Sequence, residues 1–122
     1  MKNPVVWWEI NAKDGEALSA FYRRVFEWEM PKDESSGIWE LNAEKRPGTI
    51  GGGIFTGKGA LPTHRCIYVQ VLDIDEVCAR AREAGREILQ GPLALSGVGR
   101  LAFFTDPEGH MLGLIEPEPR AS

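Results

Sequence analysis

Gly97-Val98-Gly99-Arg100-Leu101-Ala102-Phe103-Phe104-Thr105-Asp106-Pro107-Glu108-Gly109-His110-Met111-Leu112-Gly113-Leu114-Ile115-Glu116-Pro117 is the stretch that decides the fold. Two apolar runs flank Asp106-Pro107-Glu108-Gly109. That tetrapeptide is turn chemistry: Pro presets φ, Gly accepts positive φ, and Asp bonds its own backbone. Pro117 and Pro119 end the second run, because proline cannot donate to a ladder. Two adjacent antiparallel strands therefore close the chain.

Working outward, Val5 to Ile10 is a β-rich run that stops at Asn11. Asp14 is a good N-cap, and Leu18, Phe21, Tyr22, Val25 and Phe26 recur at helical spacing, predicting a helix over about 14–26. Glu27 to Met30 is read as a short strand, Lys32 to Ser36 as a polar loop, and Gly37 to Asn42 as a strand. Thr49 to Phe55 is the next strand, and its Gly51-Gly52-Gly53 run implies a bulge or the close approach of some other group. The same order then repeats. Arg65 to Val71 is a strand, Asp73 caps a helix carrying Val77, Ala81 and Ala84, and Gly85 ends it. Glu87 to Leu89 is a short strand, Gly91-Pro92 a turn, and the closing pair follows.

Asp14 and Asp73 lie 59 apart, as do Trp7 and Cys66, and Gly53 lies 60 before Gly113. Independent landmarks at one offset indicate an internal duplication. The predicted fold is α+β: two tandem βαβββ modules forming a curved mixed β-sheet cleft, with the helices outside. The 122 residues form a single domain (1–122), with module one at about 4–57, a linker at about 58–63 and module two at about 64–118.

Composition excludes several classes. A net charge of −4 gives no nucleic-acid footprint, and no apolar run approaches the ~18 residues of a membrane span. Met1 to Pro4 leads straight into a strand, so no secretory leader is expected. Cys66 and Cys78, the only cysteines, are far apart in sequence and read as reduced thiols in a cytoplasm.

The segments Val5-Val6-Trp7-Trp8-Glu9-Ile10, Asp14 to Trp28, Tyr68 to Glu76 and Gly97 to Pro117 stand in an order and spacing that resembles the vicinal oxygen chelate superfamily. That superfamily includes glyoxalase I, bleomycin-resistance proteins and extradiol dioxygenases. The resemblance implies paired βαβββ modules around a cleft, usually in a homodimer. In metal-dependent members a divalent ion is held from the first and last strand of each module, typically by His or Gln and Glu. Carried over, those positions are Trp7, Gly53, Cys66 and Gly113. Indole and glycine offer no ligand, and one thiolate is too little for a site. No metal and no cofactor are expected.

Strand alternation adds Glu9 to the face of Trp7, and Tyr68 and Gln70 to that of Cys66. Glu9 is either an acid or base in an apolar cleft or a structural carboxylate. Tyr68 and Gln70 either orient a polar ligand group or bond across strands. Arg100 either reaches a ligand's anionic or carbonyl group or forms a surface ion pair. His64 is read as an exposed loop histidine, and His110 as turn chemistry pointing away from the Met111 and Gly113 face. Trp7 fills the volume of an ion and offers a flat apolar face; Trp8 and Trp28 read as core or interface.

The expected function is metal-free binding of an apolar or planar small molecule in an aromatic cleft, with Trp7, Glu9, Gly53, Cys66, Tyr68, Gln70, Arg100 and Gly113 as ligand contacts. The alternative is a glyoxalase-like lyase or isomerase or a dioxygenase-type enzyme, with displaced metal ligands or with acid/base chemistry through Glu9. The expected partners are a small molecule and a second copy of the chain, with neither nucleic acid nor membrane.

Overall fold

The computed structural model describes residues 2–119. Eight strands and two helices follow in the order β1 (Val5–Ala12), α1 (Gly15–Phe26), β2 (Lys32–Asp33), β3 (Ile38–Leu41), β4 (Gly51–Thr56), β5 (His64–Gln70), α2 (Ile74–Glu83), β6 (Ile88–Leu95), β7 (Gly99–Thr105) and β8 (Met111–Pro117). The class is α+β, and the order βαβββ occurs twice. Trp7–Arg65 form one compact unit; Cys66 onward, with the residues up to Val6, forms the other.

In the first unit the strand order is β2-β3-β4-β1, with β1 parallel to β4 and the other pairs antiparallel. Asp14 caps α1 through Oδ1, which accepts from the Ala17 amide at 3.1 Å. Ile10, Ala12, Met30, Trp39 and Ile54 form the core between α1 and the sheet, with Trp8, Leu18, Tyr22 and Trp28 packed against them. The helical stripe read from the sequence is wider than the buried face. Phe21, Val25 and Phe26 are each more than half exposed. Lys32 and Asp33, read as loop, pair with Trp39 and Ile38 as a two-residue strand, and Glu27 to Met30 form no strand. Their backbone is irregular because Glu27 adopts the left-handed conformation, φ 55°, that ends α1.

The second unit repeats the plan with order β5-β8-β7-β6, where β5 is parallel to β8. Asp73 caps α2 by accepting from the Glu76 amide at 3.1 Å. Val71, Ile74, Cys78, Ala102 and Leu114 form this unit's core. The Asp106 turn is built as its residues require. Asp106 Oδ1 accepts from the amides of Glu108 (3.0 Å) and His110 (2.9 Å), and Gly109 takes φ 90°. These amide donors hold the Asp106 carboxyl below the usual carboxylate range, the His110 amide most strongly.

Gly91-Pro92 is not a turn. β6 runs through it from Ile88 to Leu95, with register shifts on both sides of Gln90. The proline falls on the outermost strand of its set, inside the irregular stretch between the Gln90 and Leu93 pairings, where a missing donor breaks no regular ladder.

Candidate functional site

β1 and β4 run parallel with Trp7 opposite Gly51, Trp8 opposite Gly52 and Glu9 opposite Gly53. Side chains alternate across a strand, so Trp8 points toward α1 while Trp7 and Glu9 point away from it. The three glycines answer these two indoles. A Cβ on Gly52 would lie 1.9 Å from Trp8 Cε2; one on Gly51 would lie 2.7 Å from Trp7 Cζ3, and one on Gly53 3.4 Å from Trp7 Cζ2. A side chain at Gly51 or Gly52 would displace a ring, and one at Gly53 would press on Ile38 Cγ2, 2.5 Å away, while only touching Trp7. The glycine run is therefore a floor beneath two tryptophans, one on each face of the sheet.

Trp7 is also tied at its edge. Its indole Nε1–H donates to Glu9 Oε2 at 3.2 Å, and Glu9 is 9% exposed. The carboxylate thus anchors the indole. Asn11 continues this face, and its buried Oδ1 has no hydrogen-bond partner within the described residues.

The second unit uses the same device with a different ring. Tyr68 on β5 pairs with Gly113 on β8, which pairs in turn with Phe103 on β7. A Cβ on Gly113 would lie 2.6 Å from Tyr68 Cδ1. Tyr68 and Phe103 meet edge to face at 5.7 Å between centroids, the arrangement that ring quadrupoles favour. Cys66 and Gln70 share the Tyr68 face by alternation, and Cys66 is buried.

Arg100 lies elsewhere. With Ala102 and Phe104 it alternates onto the α2 side of the sheet. Its two terminal nitrogens donate to both oxygens of Asp75 at 2.8 and 2.9 Å, and Glu116 stands 3.8 Å away. This fork-on-carboxylate pairing keeps the Asp75 carboxyl below its ordinary range and raises the guanidinium. Of the two weighed roles, Arg100 performs the ion pair. His110 is exposed beyond the turn.

His64 is not a bare loop residue: it opens β5 and lines a groove beside the end of β1. Sequence reasoning also passed over Phe103, and it named Gly51 only within a run that some other group approaches closely. The signal was present, since an aromatic in a first strand beside a glycine in its parallel partner is a recognisable pair once the register is known.

The residues do not fit the ion that metal-dependent relatives would imply. The space over Gly53 is filled by Ile38 Cγ2 and the Trp7 ring, and that over Gly113 by the Tyr68 ring. Among the described residues no three His, Cys, Asp or Glu side chains come together as a ligand set. A divalent cation needs several such donors.

Residues 5–114 match the model of the Glyoxalase/Bleomycin resistance protein/Dioxygenase superfamily. The chain belongs to that superfamily. A Mycobacterium bovis protein, CFP32, described only provisionally as a glyoxylase, is 31% identical over 71 residues, 58% of this chain and 27% of that protein. The anthracycline biosynthesis protein DnrV of Streptomyces peucetius is 24% identical over 118 residues, 84% of this chain and 43% of DnrV. The chain thus spans less than half the length of these relatives. Among solved structures, a variant of Streptomyces coelicolor methylmalonyl-CoA epimerase matches with a TM-score of 0.63 at 19% identity, covering 100% of this chain and 99% of the epimerase. The Mycobacterium tuberculosis methylmalonyl-CoA epimerase matches with a TM-score of 0.59 at 18% identity, covering 94% and 88%. At such identities the likeness is one of fold. No helix among the described residues is long and apolar enough to cross a membrane.

Proposed function

We propose that this superfamily member is a small-molecule-binding protein that takes a flat, apolar ligand against Trp7 and uses no metal to do so. One observation carries the reading. At a position where the resemblance puts a metal ligand stands an indole, laid over Gly51 and Gly53 and tethered by Glu9. A fixed, half-buried indole is a preorganised stacking surface, because little freedom is left to lose on binding. Gly53 is proposed as a further contact beside Trp7, and Cys66, Tyr68, Gln70 and Gly113 as ligand contacts of the second unit taken by itself; Arg100 is omitted because Asp75 holds its fork. The assembly we propose is a homodimer, and two cysteines, both buried, fit a reducing cytoplasm.

The test is a thermal-shift screen of planar aromatics, including an anthracycline because one relative carries that word in its name. A ligand that binds the native state raises the melting temperature. Stabilising ligands are expected to quench tryptophan fluorescence, and Trp7→Ala should weaken them at least tenfold. A ligand bound equally well by Trp7→Ala, or a stoichiometric divalent ion in the purified protein, overturns the reading.

A second reading rests on Glu9. Its buried carboxylate, oriented by an indole donor, has the placement of an acid or base in lyase or isomerase chemistry. Under that reading Glu9→Gln abolishes turnover of a substrate with an acidic C–H and leaves KM nearly unchanged. Turnover that survives the substitution removes it.

A further inference from the structure

At the end of β1 a groove of about 600 Å³ opens between the strand, the first turns of α1 and the start of β5. It lies on the α1 side of the sheet, opposite to the face that carries Trp7 and Glu9. Its apolar wall is made by Ile10, Leu18 and Phe21, and Phe21 is 57% exposed. Its polar wall carries Lys13, His64 and Arg65. The only acid on it is Asp14, whose carboxylate accepts the Ala17 amide as helix cap.

Lys13 and Arg65 keep their capacity for an anion. Among the described residues neither forms an ion pair with a carboxylate. Arg65 Nη2 donates to the neutral Tyr22 hydroxyl at 3.0 Å, which positions the guanidinium without neutralising it. His64 Nδ1 lies 2.7 Å from the Pro62 carbonyl oxygen. A carbonyl only accepts, so Nδ1–H donates to it, and Nε2 of that neutral ring is an acceptor with no proton to offer a carboxylate. In a chain of net charge −4 this is a local reversal of sign. An apolar wall beside cationic groups, in a volume suited to a small organic molecule, has a defined complement.

We infer that this groove binds an amphiphilic monoanion, an aryl or medium-chain acyl carboxylate, with its body against Phe21, Leu18 and Ile10 and its carboxylate between Lys13 and Arg65. The exposed Phe21 side chain is then covered by the ligand. This site is independent of the one proposed around Trp7.

The probe is 2-naphthoate, titrated into the ¹⁵N-labelled chain, with uncharged 2-naphthylmethanol as its comparison. The expected result is a set of shifts centred on Ala12, Lys13, Phe21 and Arg65, separate from any set around Trp7 and Gly53. Replacing both Lys13→Gln and Arg65→Gln should weaken naphthoate at least tenfold and remove most of its salt dependence, while the alcohol changes less than twofold. Phe21→Ser should weaken both. Shifts confined to Trp7 and Gly53, equal naphthoate affinity in the charge variants, or dilution-dependent shifts of Phe21 showing that a second copy covers it, would each overturn the assignment. Unchanged circular dichroism in the variants separates lost binding from lost folding.

Discussion

The two βαβββ units solve one packing problem with different side chains. In each, a glycine of the last strand lies beneath an aromatic of the first: Gly51 and Gly53 under Trp7, Gly113 under Tyr68. In each, the last strand also caps the first amide of the helix. Thr56 Oγ1 accepts from Gly15 N at 2.8 Å, and Glu116 Oε2 accepts from Ile74 N at 2.9 Å. Thr56 and Glu116 stand at the 60-residue offset of Gly53 and Gly113. The difference lies at the helix surface. α2 buries Ile74, Cys78 and Ala81, whereas α1 leaves Phe21, Val25 and Phe26 exposed. What the duplication kept is the backbone geometry and its caps; what diverged is the chemistry shown to ligands.

The largest effect tests whether the two cores are equal. Ile54 and Ile74 are each 0% exposed. Ile54→Ala and Ile74→Ala should each lower stability by about 2–5 kcal/mol in urea unfolding. A loss below about 1 kcal/mol in either would break the equivalence.

The glycine floors come next. Gly52→Ala forces the Trp8 indole to move and should cost about 1–3 kcal/mol, as overpacking does. Its cost should fall by half or more in a Trp8→Leu background, and the cost of Gly113→Ala should fall likewise with Tyr68→Leu. Undiminished costs in these double-mutant cycles would mean that the rings are not what the glycines serve.

The strand-borne caps differ in charge, so their removal should differ in size. Glu116→Gln replaces a charge-assisted bond and should cost about 1.5–3 kcal/mol, against about 1 kcal/mol for Thr56→Val. Equal losses would show that charge at the α2 terminus contributes nothing.

The smallest effects concern pH, and the two units should differ in sign. Burial, with Asp33 nearby, pushes the Glu40 carboxyl up. A group raised in the folded state favours folding below its unfolded value, about 4.3, and that contribution is lost as pH rises through the folded value. The Asp75 carboxyl is depressed by Arg100. Its contribution is present above about 3.9 and is lost as pH falls through the folded value. Glu40→Gln should therefore stabilise at pH 7 but not at pH 3, and Arg100→Met should destabilise at pH 7 but progressively less in acid. Urea midpoints across that range check both, and parallel profiles for wild type and variants would remove the contrast. Asp75 is largely solvated, so added salt should shrink its difference, while the partly buried Glu40 responds less.

Local chemistry was sufficient for much of the molecule. Asp14 and Asp73 as caps, the Asp106 turn and the offset of about 60 residues between halves are each decided within a few residues of chain, and all are found where their residue types require. The strand errors arose where pairing outweighs propensity: Lys32 and Asp33 become a strand only because Trp39 and Ile38 lie opposite them, and Pro92 is carried within β6 because it occupies an outermost strand. A glycine triplet announces that something approaches closely, but only the β1–β4 register says that Trp7 and Trp8 do. Likewise, composition shows an acidic chain, while folding gathers Lys13, His64 and Arg65 from two distant segments onto one groove. Caps and turns depend on neighbours along the chain; ring-on-glycine contacts, ion pairs and grooves depend on neighbours across it, and those exist only once the strands have chosen their partners.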